Sequence, residues 1–186
     1  MRIAVLYGSV REKRQGIKAA RFIASKIKER GHEVDLLDPL EHPLPFLDKR
    51  FSDYEPGMAP EMIQKLAGIL GKADGFIIVS GEYNHSIPPV LKNMLDHYYE
   101  QYRRKAAGIV TYSSGTFGGV RAMVQLRALL GELGMVTCPS TLPVSKVQDS
   151  FDDNGNALDE AYERRAKRFL DDFEWYAHAL KAAREG

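Results

Sequence analysis

The chain of 186 residues has the length of one domain and is long enough to bury a sizeable core. Its 26 Lys/Arg and 25 Asp/Glu residues leave a net charge of +1, whereas dedicated nucleic-acid binders are usually far more basic. Cys138 is the only cysteine, so no disulfide can form within the chain, and no apolar run approaches the roughly 20 residues that span a bilayer. We therefore expect a cytoplasmic protein without nucleic-acid or membrane partners.

The first third of the chain alternates strand-like and helix-like segments. Arg2–Tyr7 is a short apolar run, typical of a strand buried on both faces. From Gly16 onward apolar residues recur every three or four positions, which predicts a helix that Gly31 ends. A second strand is predicted at Glu33–Leu37. The segment Asp38–Pro60 is rich in proline and charge, and long connections of this kind are often functional.

The same alternation continues to the end of the chain. The strongest strand pattern is Gly75–Ser80, and prolines mark the start of the helix that follows it. The fifth strand is expected in two pieces. The remaining predicted elements are helices at Glu61–Lys72, Pro88–Tyr99, Gly119–Leu133 and Leu158–Arg184, and strands at Ala106–Tyr112, Met135–Cys138 and Leu142–Val147.

Five repeats of strand and helix predict a parallel sheet with helices on both faces, formed by a single domain over residues 1–186. The commonest five-stranded solution is the flavodoxin-like, doubly wound α/β fold with strand order 2-1-3-4-5. Ligands of such sheets bind beyond the carboxyl ends of the strands, where the strand order reverses. The loops after strands one, three and four are therefore the candidate site.

The loop after the first strand has the composition of a phosphate site. Its serine offers a hydroxyl, its arginines can form charge-assisted hydrogen bonds, and the next helix begins with unpaired N–H groups. It contains neither a Walker A lysine nor G-x-G-x-x-G, which argues against a kinase-type NTPase and a Rossmann fingerprint. A solvated basic turn is the alternative. The candidate cofactor-binding residues here are Ser9, Arg11, Arg14, Gln15, Gly16 and Ile17.

The loop after the third strand carries the most informative motif, E-Y-N-x-S-x-P-x-x-L-K-N-x-x-D, from Glu82 to Asp96. It closely resembles the isoalloxazine-binding motif of the NADPH-dependent FMN reductase family, which includes quinone, chromate and azo-dye reductases. The usual proline before it is Gly81 here. The alternative is a helix N-terminal turn capped by Ser86. The resemblance implies that this loop lines a flavin ring through Glu82, Tyr83, Asn84, His85 and Ser86.

The loop after the fourth strand, S-x-G-x-x-G-G-x-R-A, matches the segment that lies along the other edge of the flavin in that family. Glycines let a backbone approach a flat ligand closely, although a flexible turn would have a similar composition. The resemblance covers roughly residues 2–145 in all. It adds Ser113, Ser114, Gly115, Gly118 and Gly119 to the candidate cofactor-binding residues.

The resemblance implies an enzyme that reduces a small acceptor with NADPH or NADH through FMN, with ping-pong kinetics. The acceptor would be a quinone, free flavin, azo dye or metal oxyanion. Because N5 of the flavin carries the hydride, no catalytic side chain is expected. A flavodoxin-type electron carrier without NAD(P)H activity and a non-catalytic nucleotide-binding domain are the alternatives.

Other reactive residues point to no second chemistry. The five histidines show no metal-ligand spacing, and no Ser-His-Asp set can be assembled. We expect Cys138 to be a small buried hydrophobe, and Lys92, Asn93 and Asp96 to be structural. The tyrosines at 98, 99 and 102 exceed what one solvated face requires, which favours an interface in a homodimer or homotetramer.

Overall fold

The computed structural model describes residues 1–186, which form one five-stranded sheet with helices on both of its faces. All neighbouring strands are parallel, in the order β2-β1-β3-β4-β5. The strands are β1 (Arg2–Tyr7), β2 (Glu33–Leu37), β3 (Gly75–Gly81), β4 (Ala106–Tyr112) and β5 (Val136–Val144). The predicted flavodoxin-like topology is confirmed.

The helices are α1 (Gly16–Glu29), α2 (Glu61–Lys72), α3 (Pro89–Asp96), α4 (Val120–Glu132), α5 (Val147–Ser150) and α6 (Glu160–Glu185). A single 3₁₀ turn, Phe51–Asp53, is the only regular element of the long 38–60 connection. None of the helices combines the length and the apolar character that crossing a membrane would require.

The sheet separates two hydrophobic clusters. One contains 25 buried residues and is covered by α1 and α6, and the other contains 22 and is covered by α2, α3 and α4. Residues 3–7 of β1 are fully buried, which explains why this strand is a continuous apolar run rather than an alternating one. Because helices cover both faces of the sheet, the carboxyl ends of its central strands are held in fixed positions at one edge.

Three predicted elements differ from the structure by more than one residue. The fifth strand is one continuous element whose register shifts opposite Ala107 and Ile109, so its prolines did not divide it. Helix α3 ends at Asp96, three residues early, because Tyr98 turns into the core. Helix α6 begins two residues late because the Asp159 carboxylate caps it by accepting the N–H of Ala161 at 2.8 Å.

Candidate active site

The loops after β1, β3 and β4 meet at one edge of the sheet and enclose a cleft of about 570 Å³. This is the size range of small-molecule and cofactor sites. The short helix α5 closes the cleft on the β5 side through Val147 and Gln148. The predicted residues that line it are Ser9, Arg11, Arg14, Gln15, Gly16, Glu82, Tyr83, Ser113 and Ser114.

The N-terminus of α1 opens into this cleft without a cap of its own. Gln15 occupies the N-cap position, but its side chain forms no capping hydrogen bond, and the first turn contains no acidic residue. The first N–H groups of a helix lack intrahelical partners and carry the positive end of its dipole. They are therefore available to an anion.

Close packing holds α1 in place against the end of β4. Gly16, the first residue of α1, lies on the Tyr112 ring, and a Cβ atom at position 16 would be 2.0 Å from Cζ of Tyr112. No side chain fits in that space, so glycine is required here for close approach rather than for a special φ. Tyr112 itself is buried beneath the cleft.

The two arginines of the first loop have different environments. Arg14 forms a two-pronged ion pair with Asp38, with both hydrogen bonds at 2.5 Å, and Nη1 also donates to the Ser9 carbonyl at 2.9 Å. The Asp38 carboxylate raises the pKa of the Arg14 guanidinium above its ordinary value. Arg11 is exposed, and its guanidinium carbon lies 6.0 Å from the centre of the Tyr83 ring. Of these two arginines, only Arg11 is exposed in the cleft and has no carboxylate partner.

The loop after β3 contains a two-residue reverse turn. The N–H of Tyr83 donates to the Ser86 carbonyl at 2.8 Å, and the N–H of Ser86 donates back at 2.9 Å. Between them, Asn84 and His85 have φ values of +50° and +64°, as a type I′ turn requires. Asparagine and histidine are among the non-glycine residues that adopt such φ values most often. The turn presents Tyr83 to the cleft, and Asn84 lies in a shallow extension of it.

Glu82 fastens this loop to the start of α4. Its carboxylate accepts the N–H of Arg121 at 2.9 Å and that of Ala122 at 3.2 Å, and it pairs with the Arg121 side chain. Burial opposes ionisation of Glu82, but the N–H groups of Ala122 and Arg121 and the guanidinium together hold its pKa below the ordinary value. The side chain that the motif suggested for the cofactor thus caps a helix.

Ser86 does not cap α3, which is a correction to the alternative interpretation of its motif. The N-cap position belongs to Pro88, and the Ser86 hydroxyl donates to Oε1 of Gln125 on α4 at 2.6 Å. Nε2 of Gln125 donates in turn to the His85 carbonyl at 2.8 Å. The turn after β3 is therefore held by α4 and not by the helix that follows it.

The loop after β4 is organised by Ser113. Its hydroxyl accepts the N–H of Gly118 at 3.0 Å and donates to the Gly115 carbonyl at 3.1 Å. Gly118 and Gly119 have φ values of +63° and +76°, and a Cβ at Gly119 would be 2.9 Å from the Tyr112 carbonyl oxygen. Both glycines are needed for this backbone path, and neither lines the cleft.

Not every predicted site residue reaches the cleft, and several residues that do were missed. Ile17, His85, Ser86 and Gly115 lie outside its lining, as do the two glycines just described. The missed lining residues are Glu12, Lys13, Gly81, Tyr112, Val147 and Gln148. Tyr112 is the last residue of β4, so strand direction alone could have indicated it. Val147 and Gln148 have no local signal.

The other candidate residues play structural parts. Cys138 is fully buried, and burial raises the pKa of its thiol to about 12, so the expected small hydrophobe is confirmed. The Lys92 ammonium pairs with Asp96, and the Asn93 side chain binds the backbone of residues 45 and 47. No group of three or more His, Cys, Asp or Glu residues is arranged to hold a metal ion.

The tyrosines that suggested an interface are largely core residues. Tyr98 and Tyr102 are 1% and 0% exposed, and only Tyr99 reaches the surface, at 36%. The Tyr98 hydroxyl donates to the Ile63 carbonyl at 3.2 Å. These rings fill the space between α2, α3 and the sheet, so their number gives no support to an oligomer.

The fold and the cleft define a class: a flavodoxin-like protein whose site, beyond the carboxyl ends of β1, β3 and β4, suits a ligand with an anionic end. Comparison with known proteins agrees. The profile of the NADPH-dependent FMN reductase family matches residues 1–149. An NAD(P)H-dependent FMN reductase of Schizosaccharomyces pombe is 32% identical over 159 residues, which are 78% of this chain and 76% of the relative.

Two further proteins are similar over nearly the whole chain. An NADPH:quinone oxidoreductase of Arabidopsis thaliana is 30% identical over 179 residues, which are 91% of this chain and 88% of the relative. The structure of a flavoenzyme NAD(P)H:(acceptor) oxidoreductase from Paracoccus denitrificans superposes with a TM-score of 0.78 at 24% identity, covering 96% of this chain and 98% of the other. The latter comparison supports the fold.

The chain belongs to the NADPH-dependent FMN reductase family. It is an oxidoreductase of the type that uses FMN as cofactor and reduced nicotinamide as electron donor. The donor set of the cleft fits FMN: an uncapped helix N-terminus and the exposed Arg11 suit a phosphate, and the Tyr83 turn supplies a flat wall.

Proposed function

We propose that this protein transfers two electrons from NADPH or NADH to a small acceptor, with FMN in the three-loop cleft. The observation that carries this proposal is the uncapped N-terminus of α1, which opens beside Arg11 into the cleft bordered by Tyr83. For a quinone acceptor the balance is NAD(P)H + H⁺ + quinone → NAD(P)⁺ + hydroquinone. The quinone, free-flavin, azo-dye and metal-oxyanion acceptors remain candidates, and the name of the Arabidopsis relative favours the quinone.

In this proposal the first loop binds the phosphate. Arg11 supplies the charge, and the N–H groups at Gly16 and Ile17 supply directed hydrogen bonds. Gln15 and the Ser9 hydroxyl border the same subsite, although Ser9 is 2% exposed and its hydroxyl already lies 3.3 Å from that of Tyr83. Lys13, which was not among the candidate residues predicted from the sequence, adds a second cation to the cleft.

The loops after β3 and β4 would hold the ring. Tyr83 offers an aromatic face, the Asn84–His85 turn directs backbone donors, and Ser113 and Ser114 line the opposite side. Bound FMN would supply the two-electron redox chemistry between the nicotinamide and the acceptor. In this proposal the residues of the chain bind and orient the cofactor and the substrates, and none of them acts as a catalytic acid or base.

We further propose ping-pong kinetics, because one open cleft would serve the nicotinamide and the acceptor in turn. The test is an absorbance spectrum of the purified protein, followed by anaerobic addition of each nicotinamide. We expect an oxidised flavin spectrum that is bleached by NADPH or NADH and restored by a quinone, and parallel double-reciprocal lines. A bound flavin that neither nicotinamide bleaches would identify an electron carrier instead, and failure to bind FMN would leave a non-catalytic domain.

We also propose that residues 1–186 act as one cytoplasmic domain in a homodimer or homotetramer. Support for assembly comes from an apolar rim beside the cleft, where Val10 is 47% exposed and Phe46 is 90% exposed. Exposed apolar rims of this kind mark interaction sites. Light scattering at micromolar concentration tests the assembly, and a monomer would contradict it.

A further inference from the structure

A buried ion pair connects the first loop to the end of β2. The Arg14 side chain is 15% exposed and that of Asp38 is 5% exposed, although the two residues are 24 positions apart. Nothing in the composition of either segment identifies them as partners. A pair of this kind carries a large desolvation cost, so it needs full hydrogen bonding on both sides.

The donors of Arg14 are directed into the protein. Two of its N–H groups bind the two oxygens of Asp38, and a third binds the Ser9 carbonyl. The guanidinium carbon also lies 5.3 Å from the centre of the fully buried Tyr7 ring. Arg14 is therefore fixed on three sides by β1, β2 and its own loop, although it borders the cleft.

Asp38 is fixed equally well. It is the first residue after β2, and its Oδ1 accepts the N–H of Leu40 at 3.0 Å. Its carbonyl accepts the N–H groups of Glu41 and His42 at 3.0 and 2.9 Å. The carboxylate thus belongs to a compact turn on the sheet and can act as a rigid anchor for the opposite loop.

We propose that Asp38 and Arg14 are positioning residues for cofactor binding: the pair holds the 9–16 loop in the shape that receives the phosphate, and Arg14 is not itself a phosphate ligand. This inference rests on the proposed placement of FMN. Arg14 was a candidate ligand because of its charge, but Asp38 neutralises that charge. Arg11 and the N-terminus of α1 then carry the attraction for the phosphate.

The direction in which Asp38→Asn changes the FMN affinity distinguishes a positioning role of the pair from direct binding of the phosphate by Arg14. Asp38→Asn removes a negative charge near the phosphate and releases Arg14. If Arg14 were a ligand held back by Asp38, the variant would bind FMN more tightly. If the pair positions the loop, the variant binds FMN at least tenfold more weakly, while riboflavin, which lacks the phosphate, changes less than threefold. The measurement is a flavin fluorescence titration of the flavin-depleted full-length chain.

Loss of one partner of a buried ion pair is strongly destabilising, so weak FMN binding by Asp38→Asn could reflect unfolding. A second variant that retains both charges removes this ambiguity. Arg14→Lys retains the positive charge but cannot make the forked contact with Asp38 and also reach Ser9. We expect Arg14→Lys to weaken FMN binding at least tenfold as well. Asp38→Glu, which retains a carboxylate, should lose less FMN affinity than Asp38→Asn. FMN affinity within threefold of the wild type in Arg14→Lys would overturn the proposal.

The matched control is Asp35→Asn, which removes another β2 carboxylate from an arginine pair, with Arg2 at 2.6 Å. That pair is remote from the cleft lining, so FMN affinity should not change. A wild-type chain that does not bind FMN would contradict the proposed function itself. A wild-type chain that binds FMN, together with an Asp38→Asn variant that binds as well or better, would contradict only the positioning role.

Discussion

Two helices, α1 and α4, begin in loops at the same edge of the sheet. Their first backbone N–H groups differ in whether a side chain caps them. At α4 the carboxylate of Glu82 accepts the N–H groups of Arg121 and Ala122. At α1 no side chain caps the helix and no acidic residue stands in the first turn. A capped N-terminus is a structural junction, whereas an uncapped one in a cleft retains its donors for an anionic ligand.

The comparison also shows that lining a cleft does not define a ligand contact. Glu82 and Arg14 both border the cleft and both carry charge, yet each is bonded to a partner within the protein. Arg11 borders the same cleft, and its guanidinium has no carboxylate or hydrogen-bond partner. The phosphate subsite is therefore identified by free donors rather than by the number of positive charges.

The largest effect is expected from blocking the start of α1. Gly16→Ala places a Cβ in the Tyr112 ring, and overpacking of this severity costs about 3 kcal/mol. Since α1 must shift, FMN affinity should fall by roughly a hundredfold. The control is Gly68→Ala on α2, where nothing lies within 4 Å, which should bind FMN normally. Normal binding by Gly16→Ala would mean that the position of α1 is unimportant.

Arg11→Ala should have the next largest effect. Loss of one charge-assisted hydrogen bond costs about 1.5–3 kcal/mol, which is roughly ten- to a hundredfold in FMN affinity. Riboflavin affinity and the circular dichroism spectrum should not change, because an exposed loop arginine supports no core. Arg164→Ala, which removes an exposed arginine from α6, is the control. Retention of full flavin after dialysis would exclude Arg11 as a phosphate ligand.

Gln15→Glu makes the start of α1 more like that of α4. The substitution preserves shape and adds a negative charge at an N-cap position without a capping bond. Repulsion of the phosphate should cost about 1.4 kcal/mol, or tenfold in FMN affinity, and the loss should shrink at high salt. Parallel FMN and riboflavin titrations at two salt concentrations measure it. An equal loss for riboflavin would indicate distortion rather than repulsion.

Glu82→Gln is the reverse substitution at α4, and its effect should be on stability. Because the folded state lowers the pKa of Glu82, its ionised form stabilises the fold above the ordinary glutamate pKa, and this contribution is lost as the pH falls through the lowered value. The variant should lose about 1 kcal/mol at neutral pH and show a smaller loss in acid. Urea unfolding at a series of pH values measures both. The same acid dependence in variant and wild type would exclude the cap.

The smallest effect is expected at His85, whose φ of +64° is strained for a residue with a Cβ. His85→Gly should raise the free energy of unfolding by up to about 1 kcal/mol, with FMN affinity unchanged. Glu41→Gly, at an exposed position without a positive φ, should instead lower it. Urea unfolding curves of the two variants measure this difference in the free energy of unfolding. A destabilised His85→Gly variant would show that the imidazole has contacts that outweigh the strain.

Much of this protein followed from its sequence because the relevant signals are local. The buried run of β1, the helical spacing after Gly16 and the alternation of elements predicted the sheet and its order. The motif from Glu82 to Asp96 indicated the family, and parallel strands bring their carboxyl ends to one edge, so three loops could be assigned to one site. Each of these inferences needs only the order of residues along the chain.

Only the tertiary structure decided which polar groups remain free for a ligand. Arg14 meets Asp38 across 24 positions, Glu82 meets α4 across 39, and the tyrosines at 98 and 102 turn into the core. Charge and aromaticity in the sequence do not indicate which donors are already satisfied within the fold. That depends on contacts between distant segments, because a buried polar group is stable only where a partner is brought within hydrogen-bonding distance.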